Sequence, residues 1–132
     1  MLKLTNKYQK GNIIMSFTTL GLSSHLLETL AEKGYTEPTP IQTQVIPLVL
    51  RGRDVLGAAQ TGTGKTAAFA LPIIQRLSAA SDSKQASARA LVIVPTRELA
   101  SQVASAIESY AQGLELNCIA LYGGANMARQ AK

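Results

Sequence analysis

An eight-residue run, Ala59-Gln60-Thr61-Gly62-Thr63-Gly64-Lys65-Thr66, follows the apolar stretch Val55-Leu56-Gly57-Ala58 and precedes a helical pattern that carries Pro72. A strand, a phosphate-binding loop and a helix in that order leave few folds open. In such a loop, successive backbone N–H groups curl around phosphate oxygens, Gly62 and Gly64 give the backbone freedom, and Lys65 reaches the outer phosphates. The Thr66 hydroxyl is placed to ligate Mg²⁺. Against the pattern G-x-x-x-x-G-K-[ST], the first position is Ala59 and not glycine, so one fixed place departs. The expected ligand is a nucleoside triphosphate.

The rest of the chain reads as one α/β unit. Leu26, Leu27, Leu30 and Ala31 have helical spacing, with Ser23 or Ser24 as cap and Gly34 as stop. Thr39-Pro40 opens a second helix with Ile41, Val45, Leu48 and Val49 on one face, which Pro47 is expected to kink or split. The loop helix is expected from Gly64 to Leu77, distorted at Pro72. Ser78 to Ala88 is a small, polar surface loop, and Ala90 to Val94 a buried strand. Thr96 caps a helix with Leu99, Val103, Ile107 and Tyr110 at the 3.6-residue period, ended by Gly113, and Leu116 to Tyr122 supplies a third strand. Alternating strands and helices predict a parallel sheet flanked by helices.

Composition removes several classes. The Thr66 to Gln75 run is too short to span a bilayer, so no membrane role is expected. One cysteine, Cys118, and one histidine, His25, leave no zinc cluster and no internal disulfide, which suits a reducing cytoplasm. Three of the lysines behind the net charge of +5, Lys3, Lys7 and Lys10, lie in a basic extension over residues 1–15, expected to be disordered or a leader. Any grip on nucleic acid must therefore come from specific groups and not from bulk charge.

Upstream of the loop stands Gly34-Tyr35-Thr36-Glu37-Pro38-Thr39-Pro40-Ile41-Gln42, with Phe17 further before it. A glutamine amide pairs with both N6 and N7 of adenine, which would let Gln42 select ATP. Phe17 would offer the base a stacking face, and Tyr35 is a weaker candidate for that job. Taken alone, a residue like Phe17 is more often core than ligand, and one like Gln42 is more often helix surface. Downstream, Pro95-Thr96-Arg97-Glu98-Leu99-Ala100 joins a strand end to a helix start, where N–H groups and Arg97 suit a phosphodiester backbone. Gly123 and Gly124 follow the next strand and allow close approach of a polymer, or a plain tight turn.

In this order the four elements resemble the DEAD-box RNA helicases. Phe17 with G-Y-T-E-P-T-P-I-Q matches their Q motif, A-Q-T-G-T-G-K-T their motif I, P-T-R-E-L-A their motif Ia and Gly123-Gly124 their GG element. Ala59 is what that family carries at the departing position. The opening Met-Ser-Phe-Thr-Thr-Leu-Gly-Leu-Ser looks most like the bacterial RhlE branch.

The resemblance implies a P-loop NTPase with a RecA-like parallel sheet, truncated, in which residues 16–132 form the front half of the first ATP-binding domain. It implies ATP and Mg²⁺ as cofactors, with Phe17, Tyr35 and Gln42 at the base, Ala59, Gln60, Thr61, Gly62, Thr63, Gly64, Lys65 and Thr66 at the phosphates, and Lys65 and Thr66 in the catalytic role. Pro95, Thr96, Arg97, Gly123 and Gly124 would line the path of RNA, a single strand or short duplex held without sequence preference. The D-E-A-D tetrad, the S-A-T motif and the second RecA-like domain, which would complete the ATP site, are not in the sequence. Asp54 and Asp82 are its only aspartates, and neither ends a strand beyond the loop. The 132-residue chain by itself is therefore expected to be inactive. Two alternatives stand beside this reading: a non-catalytic fragment that binds ATP or RNA, and another P-loop nucleotide-binding enzyme such as a small-molecule kinase.

Overall fold

The computed structural model describes residues 16–80 and 87–123. The basic extension, most of the polar loop including Asp82, and Gly124 lie outside them. A single 3-10 turn, Phe17–Thr19, comes first, capped by the Ser16 hydroxyl on the Thr18 N–H. Four helices follow: α1 (Ser24–Glu32), α2 (Pro40–Leu50), α3 (Lys65–Ala79) and α4 (Arg97–Tyr110). The helix expectations hold to within a few residues at each end.

Local chemistry explains the boundaries. α2 opens on a capping box: Thr39 accepts the Gln42 N–H, and the Gln42 side chain accepts the Thr39 N–H. It closes on Gly52, whose φ of +75° lets Gly52 N–H reach the Val49 carbonyl and Arg53 N–H reach the Leu48 carbonyl. Gly34 ends α1 with the same pair of bonds, to Ala31 and Leu30. α4 is capped by the Thr96 hydroxyl on the Leu99 N–H at 3.2 Å, and Glu98 in its first turn complements the helix dipole.

Neither proline splits its helix. α2 runs through Pro47 and α3 through Pro72. An internal proline costs about 3 kcal/mol. Ile46, Leu71 and Ile74 are all but fully buried around these sites, and each such side chain contributes roughly 1.5–3 kcal/mol, so packing outweighs the lost backbone bonds.

α3 is the centre of the fold and packs against both α2 and α4, while α1 touches α4. Its inner face, Ala67, Ala70, Leu71 and Ile74, shares one core with Phe17, Leu20, Leu22, Leu26, Leu30, Ile46 and Tyr110. The alanines keep the helix surface low enough for neighbours to approach closely. A smaller cluster of Ile41, Val45 and Ala68, with Val55 and Ala59 against it, underlies the glycine-rich loop. His25 bonds through Nε2 to the Gln112 carbonyl at 2.8 Å and ties α1 to the end of α4.

The expected strands are not formed among the described residues. The runs 55–58, 90–94 and 116–122 carry no strand assignment, and Leu91 and Ile93, expected to be buried, are each 84% exposed. A ladder is defined by backbone hydrogen bonds between neighbouring runs, and none joins these runs among the described residues. Leu99 also lies at the surface, so the apolar stripe of α4 that meets the core is Val103, Ile107 and Tyr110.

Candidate functional site

The capping box places Gln42 in the first turn of α2, 2% exposed. Its Oε1 accepts the Thr39 N–H at 2.9 Å, and its Nε2 donates to the Gly64 carbonyl at 3.2 Å. One amide thus bolts the segment before α2 to the residue that caps α3. Gly64 has φ +82°, and a Cβ there would overlap Gln42 Nε2 and lie 3.3 Å from Thr39 Oγ1. Only glycine fits.

The loop closes on itself. Lys65 Nζ donates to the Ala59 carbonyl and, at 2.8 Å, to the Gln60 carbonyl, and Thr63 Oγ1 donates to the Gln60 carbonyl at 2.8 Å. The ammonium is therefore held across the loop by neutral dipoles that a phosphate can replace. α3 begins with no side-chain cap and no acidic residue in its first turn, in contrast to α4. Its first-turn N–H groups and the positive end of its dipole stand unblocked beside Lys65. Thr66 follows directly, which suits an anion at the helix start with a cation beside it.

The two aromatic candidates are not brought to this loop. Phe17 is 4% exposed and takes the core position that its residue type also suits. A base reaches its ring only if the 3-10 turn moves. Tyr35 meets Tyr110 edge-on, with centroids 6.3 Å apart and planes at 61°. The polar contacts of Gln42 likewise run to protein backbone, which leaves one further donor and one further acceptor site on its amide.

Of the second expected group, Arg97 and Gly123 are brought together. Arg97 Nη1 lies 3.5 Å from the Gly123 carbonyl, so the start of α4 and the end of the third extended run share one exposed edge with Pro95 and Thr96. The Thr96 hydroxyl is engaged as the helix cap and offers an outside ligand only its remaining acceptor capacity. Sequence reasoning missed the bond from Gln42 to Gly64. The spacing Thr39…Gln42 is a readable capping-box signal, but nothing in it names a partner 22 residues on.

Two groups have shifted acidity. The Tyr110 phenol is held well above its ordinary range, first by burial and then by its hydrogen bond with Tyr35. The Cys118 thiol is raised by burial and then by the charge of Glu108. For Tyr110 the folded state holds the proton more tightly than the unfolded chain. Its stabilising contribution is thus complete below the unfolded value of about 10 and is lost as pH rises toward the folded value. Urea midpoints measured from pH 9 to 11 are expected to fall more steeply for the native chain than for Tyr110→Phe. Identical slopes would exclude this coupling.

Residues 39–132 match the DEAD/DEAH box helicase family. The chain belongs to that family. As a DEAD-box family member it is 48% identical over 118 residues to the ATP-dependent RNA helicase CshA of Limosilactobacillus reuteri, an alignment covering 89% of this chain and 23% of that protein. It is 46% identical over 114 residues to the ATP-dependent RNA helicase dbp10 of Sclerotinia sclerotiorum, covering 86% of this chain and 12% of the relative. The crystal structure of the RNA helicase Prp28 from Chaetomium thermophilum bound to ADP superposes with a TM-score of 0.82 at 38% identity, over 92% of this chain and 30% of that one. A DEAD box protein from Methanococcus jannaschii gives 0.76 at 41% identity, over 88% and 31%. The DEAD-box chain thus shares the fold of these proteins while spanning between about an eighth and a third of their lengths.

Proposed function

We propose that this chain is the part of an ATP-dependent RNA helicase that receives the nucleotide phosphates and one face of the RNA. The observation that carries the reading is the bolted loop: Gln42 fixes Gly64, Gly64 opens α3, and Lys65 lies across the loop at an uncapped helix start. Lys65 and the first-turn N–H groups of α3 would take the β and γ phosphates in exchange for the Ala59 and Gln60 carbonyls. Thr66 would hold Mg²⁺, which supplies charge neutralisation between the phosphates when bound. The spare donor and acceptor of Gln42 would meet N7 and N6 of adenine. Pro95, Thr96, Arg97, Gly123 and Gly124 would touch RNA through sugar and phosphate, hence without sequence preference. A cytoplasmic setting fits the single cysteine.

For the 132-residue chain by itself, binding without turnover is the reading favoured by a specific observation. Asp54, the one aspartate among the described residues, is exposed and precedes the loop, so no aspartate there is placed to hold Mg²⁺ from a second strand end. A fluorescent ATP analogue titrated into this chain is expected to bind saturably, with ATP competing about tenfold better than GTP. Phosphate release with saturating RNA is expected at background. No saturable signal ends the nucleotide reading; equal competition by GTP ends the adenine reading alone.

A further inference from the structure

The C-terminal ends of α2 and α3 gather four arginines away from the phosphate loop. Arg76, in the last turn of α3, sits eleven residues, or about 16 Å, along the helix from Lys65. Its Nη1 donates to the Val49 carbonyl at 3.3 Å, across the turn where α2 closes, and a Cβ on Gly52 would stand 3.8 Å from that nitrogen. Arg51 and Arg53 flank Gly52 in the same turn. Arg89 reaches back to the end of α3, where its Nη1 donates to the Leu77 carbonyl at 2.9 Å and to the Ala80 carbonyl at 3.5 Å. All four side chains are exposed. Structural duty accounts for two of them: helix ends present unpaired carbonyls and the negative pole of the dipole, which Arg76 answers for α2 and Arg89 for α3. Arg51 and Arg53 make no side-chain hydrogen bond or ion pair among the described residues. Asp54 is their acidic neighbour in sequence, whereas the described glutamates lie in α1, in α4 and in the segments after these helices. Like charges held together repel, and an outside anion relieves them.

We infer that Arg51, Arg53, Arg76 and Arg89 form a second seat for an RNA backbone, separate from the edge that Arg97 shares with Gly123. The inference rests on the RNA reading above. A guanidinium carries five N–H donors in a planar fork that matches two phosphate oxygens, and the bonds to Val49, Leu77 and Ala80 leave donors over on Arg76 and Arg89. No aromatic residue lies in 49–54, 76–80 or 87–89, so the seat offers charge and hydrogen bonds to sugar and phosphate and no stacking face to a base. A protein partner is anchored by aromatic and apolar side chains at the centre of its interface, and these three segments expose no large apolar side chain.

The test titrates a labelled RNA single strand of about 30 nucleotides across a salt series into the chain, Arg51→Gln with Arg53→Gln, Arg97→Gln, and all three substitutions together. Each phosphate contact on a single strand contributes about 0.7 to the slope of log affinity against log salt, so the double variant is expected to flatten the slope by about 1.4 and to bind about 20-fold more weakly at about 0.1 M salt. Its loss is expected to add to that of Arg97→Gln, as two separate contacts require. Both arginines are exposed and hold nothing among the described residues through their side chains, so the melting temperature is expected to stay within about 2 °C. Lys33→Glu removes as much net charge at the end of α1 and is expected to change RNA affinity less than about threefold. An unchanged slope in the double variant overturns the inference, and an equal loss in Lys33→Glu overturns it in favour of bulk charge. A labelled polyglutamate peptide that loses binding in the double variant while RNA does not assigns the seat to an acidic protein and overturns it as well. Arg97→Gln without effect ends the RNA reading at that edge alone, whereas a chain that binds no RNA at low salt ends both.

Discussion

Lys65→Ala is expected to weaken ATP binding by about 100-fold. Hydrogen bonds to charged groups contribute roughly 1.5–3 kcal/mol each, and this ammonium stands where two loop carbonyls already converge on it, at Ala59 and Gln60. Phosphate oxygens at the same place carry full charge in place of a dipole, so the exchange favours the ligand. The fold loses little by comparison, because both carbonyls lie on an accessible loop and turn to water, at a cost of about 1 kcal/mol or less. Titration of labelled ATP alongside thermal melting separates the two effects. A loss below about fivefold would mean that the start of α3 holds the phosphates without help from the lysine.

Gly64→Ala is expected to lower the melting temperature by about 10 °C or more and to remove ATP binding at concentrations that saturate the native chain. Two costs combine. A Cβ at φ +82° costs roughly 1–2 kcal/mol, and its methyl group overlaps the Gln42 amide. Gln42 is buried, so its amide has no free space to enter, and displacing it breaks the bonds to Gly64 O and Thr39 N. Each buried partner left unpaired costs about 1–3 kcal/mol. Circular dichroism melts provide the check, and a shift under about 2 °C would show that the bond from Gln42 to Gly64 matters little. A double variant, Gly64→Ala with Gln42→Ala, should recover part of the loss by removing the overlap. That recovery distinguishes collision from backbone strain.

The helices were legible because their signals are local. Thr39-Pro40 and Thr96 name helix starts, Gly34 names a stop, and the structure uses these residues in those roles. The loop was legible for the same reason, since eight consecutive residues carry its chemistry. Strands are different. Ala90 to Val94 is fit to be a buried strand, but a strand is completed by ladder bonds to a partner distant in sequence, and none is made among the described residues. Periodicity reports what a segment suits and is silent about its neighbour. The split that Pro47 could have made does not occur, because the cost of Pro47 and Pro72 is local whereas the packing of Ile46 and Leu71 that offsets it is not. Phe17 shows the same limit. The residue type taken alone favours a core and the resemblance a base, and the placement of α3 beneath it puts it in the core in this structure.

An ammonium already seated between two peptide oxygens gives the resting turn a threshold. On the nucleotide reading, a lone chloride or a singly charged metabolite would offer Lys65 little more than Ala59 and Gln60 already do. A chain of several phosphates would exceed that grip. The resting contacts would thus make the turn selective for total charge and keep it indifferent to small anions in the surrounding fluid.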